Sequence, residues 1–213
     1  MDDPARLVAT GYDTVAGAYA TLERETAQWP RTRHLAELMR RLEPNAVVLE
    51  LGCGNGVPVA RDLAAAGFAV TGVDISEEQV ARARARVPGA TFLVGDMRSS
   101  SFGDASFDAV VSLYAIEHVP RSEHAAVLES ARRWLRPGGL LLLATEDADQ
   151  EGVVSDWLGA PMFFSANTAD ETRRTVREAG LEVVRSSVDS QVEGDVEIPY
   201  LWLLARRPND QTG

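Results

Sequence analysis

Residues 47–56 read VVLELGCGNG, an aliphatic run that reaches an acid and then places glycine at every second position. Val47, Val48 and Leu49 make the β-branched and apolar stretch expected of a strand covered on both faces. Gly52, Gly54 and Gly56 remove side chains where the backbone must turn sharply and approach a ligand. Val57 to Ala66 has helical composition, so the loop is predicted to feed a helix N-terminus whose N–H groups favour electron-rich atoms. Strand, glycine loop and helix in this order form half of a nucleotide site. An ordinary glycine-rich turn shares the local pattern, so the rest of the chain must decide.

Working outward, Phe68 to Val73 reads as a second strand ending at Asp74, with Ser76 set to cap a helix from Glu77 to about Val87. Arg82, Arg84 and Arg86 on that helix fall two apart and read as solvated surface charge. Thr91 to Val94 is a third strand leading to Gly95 and Asp96. Phe107 to Leu113 is a fourth, followed by a loop through Tyr114, Ile116, Glu117, His118 and Pro120. A helix from about Glu123 to Leu135 is predicted to end at Pro137, Gly138 and Gly139. Leu140 to Thr145 forms a fifth strand, with Glu146 and Asp147 just beyond it. Strands and helices alternating in this way imply an α/β, doubly wound parallel sheet with ligands at the carboxyl ends of the strands. Past the fifth strand, Asn167 to Ala179 reads as a helix, and Leu181 to Val188 and Ile198 to Ala205 as strands. The segment from Asp189 to Glu197 is too short for a helical crossover, which predicts an antiparallel hairpin. Residues 1–45 hold two helical segments, Ala5 to Leu22 and Arg31 to Leu42, around a loop with Trp29 and Pro30. They are expected to cover the crevice as part of one domain with the core at 46–213.

A chain of 213 residues can bury roughly 70 % of its unfolded surface without staples. With 21 basic and 32 acidic residues the formal charge is −11, a balance that repels nucleic acid and anionic membranes. Cys53 is the single cysteine, so no internal disulfide or multi-thiolate metal site is available and a reducing cytoplasm is the expected location. No stretch has signal-peptide character or approaches the ~20 apolar residues that span a bilayer.

Taken together, LELGCGNG, Asp74, GDM at 95–97, FDAVVSLYAIEHVP at 107–120 and LRPGG at 135–139 resemble the class I S-adenosylmethionine-dependent methyltransferases over about residues 10 to 206. The resemblance implies a Rossmann-like sheet of seven strands, mostly parallel with the last antiparallel, and S-adenosyl-L-methionine as cofactor. It implies that Glu50 helps hold the methionyl ammonium and that Gly52, Gly54 and Gly56 let the loop pass close, with Cys53 and Asn55 in the same loop. Asp74 would take both ribose hydroxyls, a charge-assisted geometry that a neutral residue would weaken. Ile75 would pack on adenine, Asp96 would accept from its amino group, Met97 would add apolar contact, and Leu113 would offer a carbonyl near the sulfonium or ammonium end. Tyr12 and Tyr19, two helical turns apart in GYDTVAGAY, correspond to an element that closes over the cofactor.

Methyl transfer from a sulfonium is an in-line displacement, so the protein mainly aligns and desolvates the nucleophile. Where the acceptor must lose a proton, His118 is the first candidate base, since it follows the fourth strand and an imidazole titrates near neutrality. Glu117, Glu146 and His34 are further acceptor-side candidates, and Trp157, Met162, Phe163 and Phe164 are expected to wall an acceptor pocket. The expected partner is a small molecule. Two other readings remain open. One is an NAD-dependent oxidoreductase, which shares the glycine loop and the acid about twenty residues on but wants a third glycine where Val57 stands. The other is a regulatory protein that binds the cofactor without turnover.

Overall fold

The glycine-loop strand is the centre of the molecule. In a computed structural model, which describes residues 3–26, 30–193 and 196–210, β1 (Val47–Leu51) is flanked by β2 (Ala69–Asp74) and β4 (Phe107–Leu113), both parallel to it. Outside these lie β3 (Thr91–Val94) and β5 (Leu135–Glu146), again parallel. The chain then closes the sheet with β8 (Glu182–Glu193) and β9 (Val196–Arg206), giving the order β3-β2-β1-β4-β5-β9-β8. β9 runs antiparallel to both neighbours, so the expected seven strands and antiparallel last strand are present. Strand order reverses beside β1, and a crevice therefore opens at its carboxyl end.

Successive side chains of a strand point to opposite faces, and here both faces are covered. Val48, Val111, Leu142 and Trp202 meet Leu38 of α2 (Pro30–Met39), Leu63 of α3 (Val59–Ala65) and Val80 of α4 (Glu77–Arg86). On the other face Leu49, Val110, Leu141 and Leu203 meet Leu128 and Trp134 of α5 (His124–Trp134) and Val176 of α6 (Ala169–Glu178). Ser76 caps α4 as expected, by accepting from the Gln79 N–H. Helix α6 begins at Ala169, not Asn167, because Thr168 and Glu171 form a reciprocal capping box. Of the three arginines on α4, Arg82 pairs with Glu78 and Arg84 donates to the Phe92 carbonyl.

Three further stretches differ from the sequence expectations. Helix α5 stops at Trp134, ahead of Pro137, and Leu135 already pairs with Phe107 as the start of β5. The segment from Asp189 to Glu197 mostly prolongs β8 and β9 instead of forming a long turn. Residues 150–166, for which no element is predicted, form a separate antiparallel hairpin of β6 (Gln150–Trp157) and β7 (Ala160–Ala166). This hairpin seats α1 (Pro4–Thr26): Val8 packs with Met162 and Phe163, and a Cβ at Gly11 would stand 2.7 Å from the Met162 Cε. Trp29 lies outside the described residues. Among those described, no helix is long and apolar enough to cross a membrane.

Candidate active site

A cleft of about 630 Å³ opens where the carboxyl ends of β1, β2 and β4 meet α1. Of the residues singled out in the sequence, Tyr12, Tyr19, Gly52, Gly54, Asp74, Ile75, Asp96, Met97, Leu113 and His118 line it. Elements separated by up to a hundred residues therefore converge on one cavity.

Asp74 is the organising acid. One carboxylate oxygen accepts from the Gly54 N–H at 2.7 Å and the other from the Ser76 N–H at 2.9 Å, tying the glycine loop to the start of α4. Burial, partly opposed by those two N–H groups, pushes its pKa up to about 6. Asp96 sits on the wall with its carboxylate held by Arg98, whose guanidinium approaches within 2.7 Å and whose backbone N–H donates at 2.8 Å. Arg98 also reaches Glu123 and Asp3, and the bond to Asp96 is the chief reason its own pKa is raised. Arg98 carries no local signal that singles it out in the sequence.

Glu50, Cys53, Asn55 and Gly56 do not form part of the cleft wall. Glu50 is buried within β1, in register with Gly72 and Val111. The Asn55 side chain accepts from the Val57 N–H, which shapes the loop from within. Gly56 packs against Ala83 and Phe92, and Cys53 against Gly72, where an added Cβ would come within 2.8 Å of the Cys53 Cβ. Cys53, Asn55 and Gly56 thus pack within the loop and against its neighbours, and burial raises the Cys53 thiol pKa well above its usual value.

Asp13, passed over between the two tyrosines, docks α1. Its carboxylate accepts from the Ser76 hydroxyl at 2.6 Å and the Glu78 N–H at 3.2 Å, adding a second acceptor at the N-terminus of α4. Asp13→Ala is expected to cost about 1 kcal/mol, the usual worth of a helix cap. Thermal unfolding should show a Tm lower by roughly 2–4 °C, and limited proteolysis should cut α1 faster.

A second cavity of about 460 Å³ adjoins the first and shares Tyr12, Tyr19, Tyr114 and His118 with it. Trp157, Phe164, Tyr200, Leu22, Arg31, Glu117 and Gln191 complete its lining. Trp157 and Phe164 thus stand where an acceptor wall was expected, whereas Met162 and Phe163 turn inward against α1. Tyr114 adopts a left-handed backbone at φ 57°, an uncommon conformation for a bulky residue and one that often marks a site. Its hydroxyl donates to Gln191 at 3.1 Å, and its ring meets Tyr200 edge-on at 4.8 Å.

His118 has a defined tautomer. Its Nδ1 lies 2.8 Å from the Phe163 carbonyl, which can only accept, so Nδ1 carries the proton and Nε2 accepts from the Tyr12 hydroxyl, also at 2.8 Å. Burial drives its pKa down to about 4. In this arrangement the Nε2 lone pair is engaged by the Tyr12 hydroxyl, whose direction it fixes. His34 is removed from both cavities: it stacks on Trp202 at 4.4 Å, and its Nε2 is 3.0 Å from Asp189. Glu117 is buried, faces the second cavity and accepts from the Glu146 N–H, while Glu146 lies farther out and accepts from the Gln150 side chain.

Residues 48–139 match a family model described as a methyltransferase domain. Over 178 residues the chain is 38% identical to the 27-O-demethylrifamycin SV methyltransferase of Amycolatopsis mediterranei, covering 76% of this chain and 62% of that protein. It is 31% identical over 180 residues to a probable S-adenosylmethionine-dependent methyltransferase of Mycolicibacterium smegmatis, covering 84% of this chain and 67% of the relative. The matches span 33% to 62% of the length of the first curated relatives. In fold, the chain superposes with a TM-score of 0.76 on a structure of the Haloferax volcanii Trm112 activator with a putative methyltransferase, at 24% identity, covering 97% of this chain and 100% of the other. With the five ordered motifs, the sheet topology and these likenesses in agreement, the chain belongs to the class I S-adenosylmethionine-dependent methyltransferases.

Proposed function

We propose that this protein transfers a methyl group from S-adenosylmethionine to a small-molecule acceptor, with an oxygen as the receiving atom. The carrying observation is the pair of adjoining cavities, one ending at Asp74 and Asp96 and the other walled by aromatic rings, with four side chains common to both. Oxygen as the acceptor atom is supported by the name of the rifamycin relative. The donor cavity fits the cofactor on its own evidence. A Cβ built on Gly54 would meet no heavy atom within 4 Å, so the loop leaves open space there, and the buried Asp74 carboxylate borders that space. Asp74 would hold the ribose hydroxyls, Ile75 and Met97 the adenine faces, Asp96 the adenine amino group, and the Leu113 carbonyl the methionyl end. Glu50 would act on that end from beneath the loop. When bound, the cofactor supplies an electrophilic methyl carbon.

The chain's own task is then to align an acceptor and keep water out. Tyr12 and Tyr19 form the wall that α1 presents to both cavities, and His118 fixes the direction of the Tyr12 hydroxyl. Glu117, a carboxylate lining the acceptor cavity, is the group in this arrangement that takes up a proton from the acceptor. His118→Ala is expected to lower kcat about fivefold to tenfold, the worth of one hydrogen bond that positions a wall, with the Kd for S-adenosylhomocysteine little changed. His118→Gln, which can still accept from Tyr12, should recover part of that loss. A pH profile of kcat that titrates near the usual histidine value, and disappears in His118→Gln, would restore His118 as the base.

The reading as a whole is tested by incubating the protein with isotopically labelled S-adenosylmethionine and a fractionated metabolite extract. The expected result is a product heavier by one labelled methyl group. Calorimetric binding of NAD with none of S-adenosylmethionine would overturn it in favour of a redox enzyme. Donor binding with no labelled product in any fraction would instead support a regulatory protein.

A further inference from the structure

The second cavity contains a cation that the methyl-transfer reading does not use. Arg31, on the first turn of α2, is 7% exposed and lines the cavity. Its Cζ lies over the Tyr114 ring, 4.9 Å from the ring centre, a cation–π contact. The buried Nε has no hydrogen-bond partner, and among the residues whose side chains are described no carboxylate lies within 4.0 Å of the group. Arg33, two residues on, does have one, in Asp189 at 2.8 Å.

A charge taken out of water without a counter-ion is costly, and a folded protein keeps one where a partner arrives from outside. We propose that Arg31 is the acceptor's recognition residue and that the acceptor is a small aryl carboxylate, its acid group paired with Arg31 and its ring held among Trp157, Phe164 and Tyr200. This rests on the methyl-transfer reading and narrows its substrate class. A carboxylate matches the planar fork of the guanidinium, and a single negative charge balances a single cation. A phosphate dianion would bring more charge than Arg31 neutralises into a cavity that Glu117 also lines. The carboxylate is the handle, so the methyl group goes to another atom of the ring system.

The test uses the full chain with S-adenosylhomocysteine and matched probes that differ only in charge: salicylate with salicylamide, anthranilate with anthranilamide, and cinnamate with cinnamamide. At least one acid is expected to bind about tenfold or more tightly than its amide in calorimetry, the range of a charge-assisted hydrogen bond. Arg31→Met should erase that ratio and Arg31→Lys should keep part of it. The unliganded Arg31→Met protein should have a Tm no lower than the parent, because the substitution removes an unpaired buried charge. Acids binding no better than their amides, or a preference that survives Arg31→Met, would overturn the proposal. A Tm several degrees lower in unliganded Arg31→Met would overturn it too, by showing that Arg31 serves the fold. Failure of S-adenosylhomocysteine to bind, with the acid preference intact, would count against the methyl-transfer reading alone.

Discussion

Replacing Asp74 with alanine is expected to weaken S-adenosylhomocysteine binding by about 100-fold or more, because two charge-assisted hydrogen bonds to the ribose would be lost at roughly 1.5–3 kcal/mol each. The carboxylate also ties Gly54 to Ser76, so alanine loosens the loop in addition to removing the ligand contact. Asp74→Asn keeps the shape but only one accepting oxygen, and should fall between the two. Acidity provides an independent check. Burial raises the Asp74 pKa from 3.8 to about 6, so the empty protein holds a proton there that the unfolded chain has released. This group therefore adds stability at low pH and loses it as the pH rises through 6. Cofactor binding runs the other way, since the ribose hydroxyls need the anion. Affinity should fall about tenfold per unit below pH 6 in the parent and stay flat in Asp74→Asn, as measured by calorimetry between about pH 7 and about pH 5. His118, lowered from 6.5 to about 4, binds fewer protons folded than unfolded, so its contribution to stability is lost as the pH falls through that range. In unfolding experiments the two groups oppose each other between about pH 4 and about pH 6, so the affinity profile is the cleaner readout.

Gly52→Ala should cause the largest loss of stability of any glycine-to-alanine change among the described residues. At φ 74° an L-residue is strained, and the new Cβ would stand 2.2 Å from the Ala115 Cβ, well inside contact distance. The Gly52 N–H also donates to the Val73 carbonyl at 2.8 Å, so the loop cannot swing away freely. Left-handed strain of about 1–2 kcal/mol and overpacking of about 1–3 kcal/mol together predict a Tm lower by roughly 10 °C. Gly54→Ala supplies the contrast. At φ 49° it carries the same left-handed strain of about 1–2 kcal/mol, but its Cβ would meet nothing within 4 Å and would project into the space kept for the donor, so the variant should lose only the strain part of the stability yet bind S-adenosylhomocysteine poorly. If the two variants lost stability equally, the division of labour between these glycines would be wrong.

Much of this arrangement was legible in the sequence because it depends on local pattern. Apolar runs ending in an acid at Asp74 and Asp96 mark strand ends, and the strand ends of a parallel sheet face one crevice. The β6–β7 hairpin was not legible, since Gln150 to Trp157 has exposed residues along nearly its whole length and lacks the alternation that betrays a half-buried strand. Arg31 carries no local signal at all. Its burial is created by Tyr114, more than eighty residues away, folding beneath it. The His118 tautomer is likewise set by the Phe163 carbonyl, which only the hairpin brings near. Asp13 lies within the legible GYDTVAGAY element, but its role depends on where α4 begins, sixty-odd residues away.

Tyr12 and Tyr19 border both cavities, and α1, which carries them, is pinned near its middle by Asp13 and along its flank by β7. A wall owned jointly by two sites makes their occupancies thermodynamically interdependent. Whatever free energy the donor spends in settling that helix is already spent when the acceptor arrives, and the reverse holds to the same factor. The two ligands should accordingly raise one another's affinity, and demethylated donor should linger until the methylated product has left.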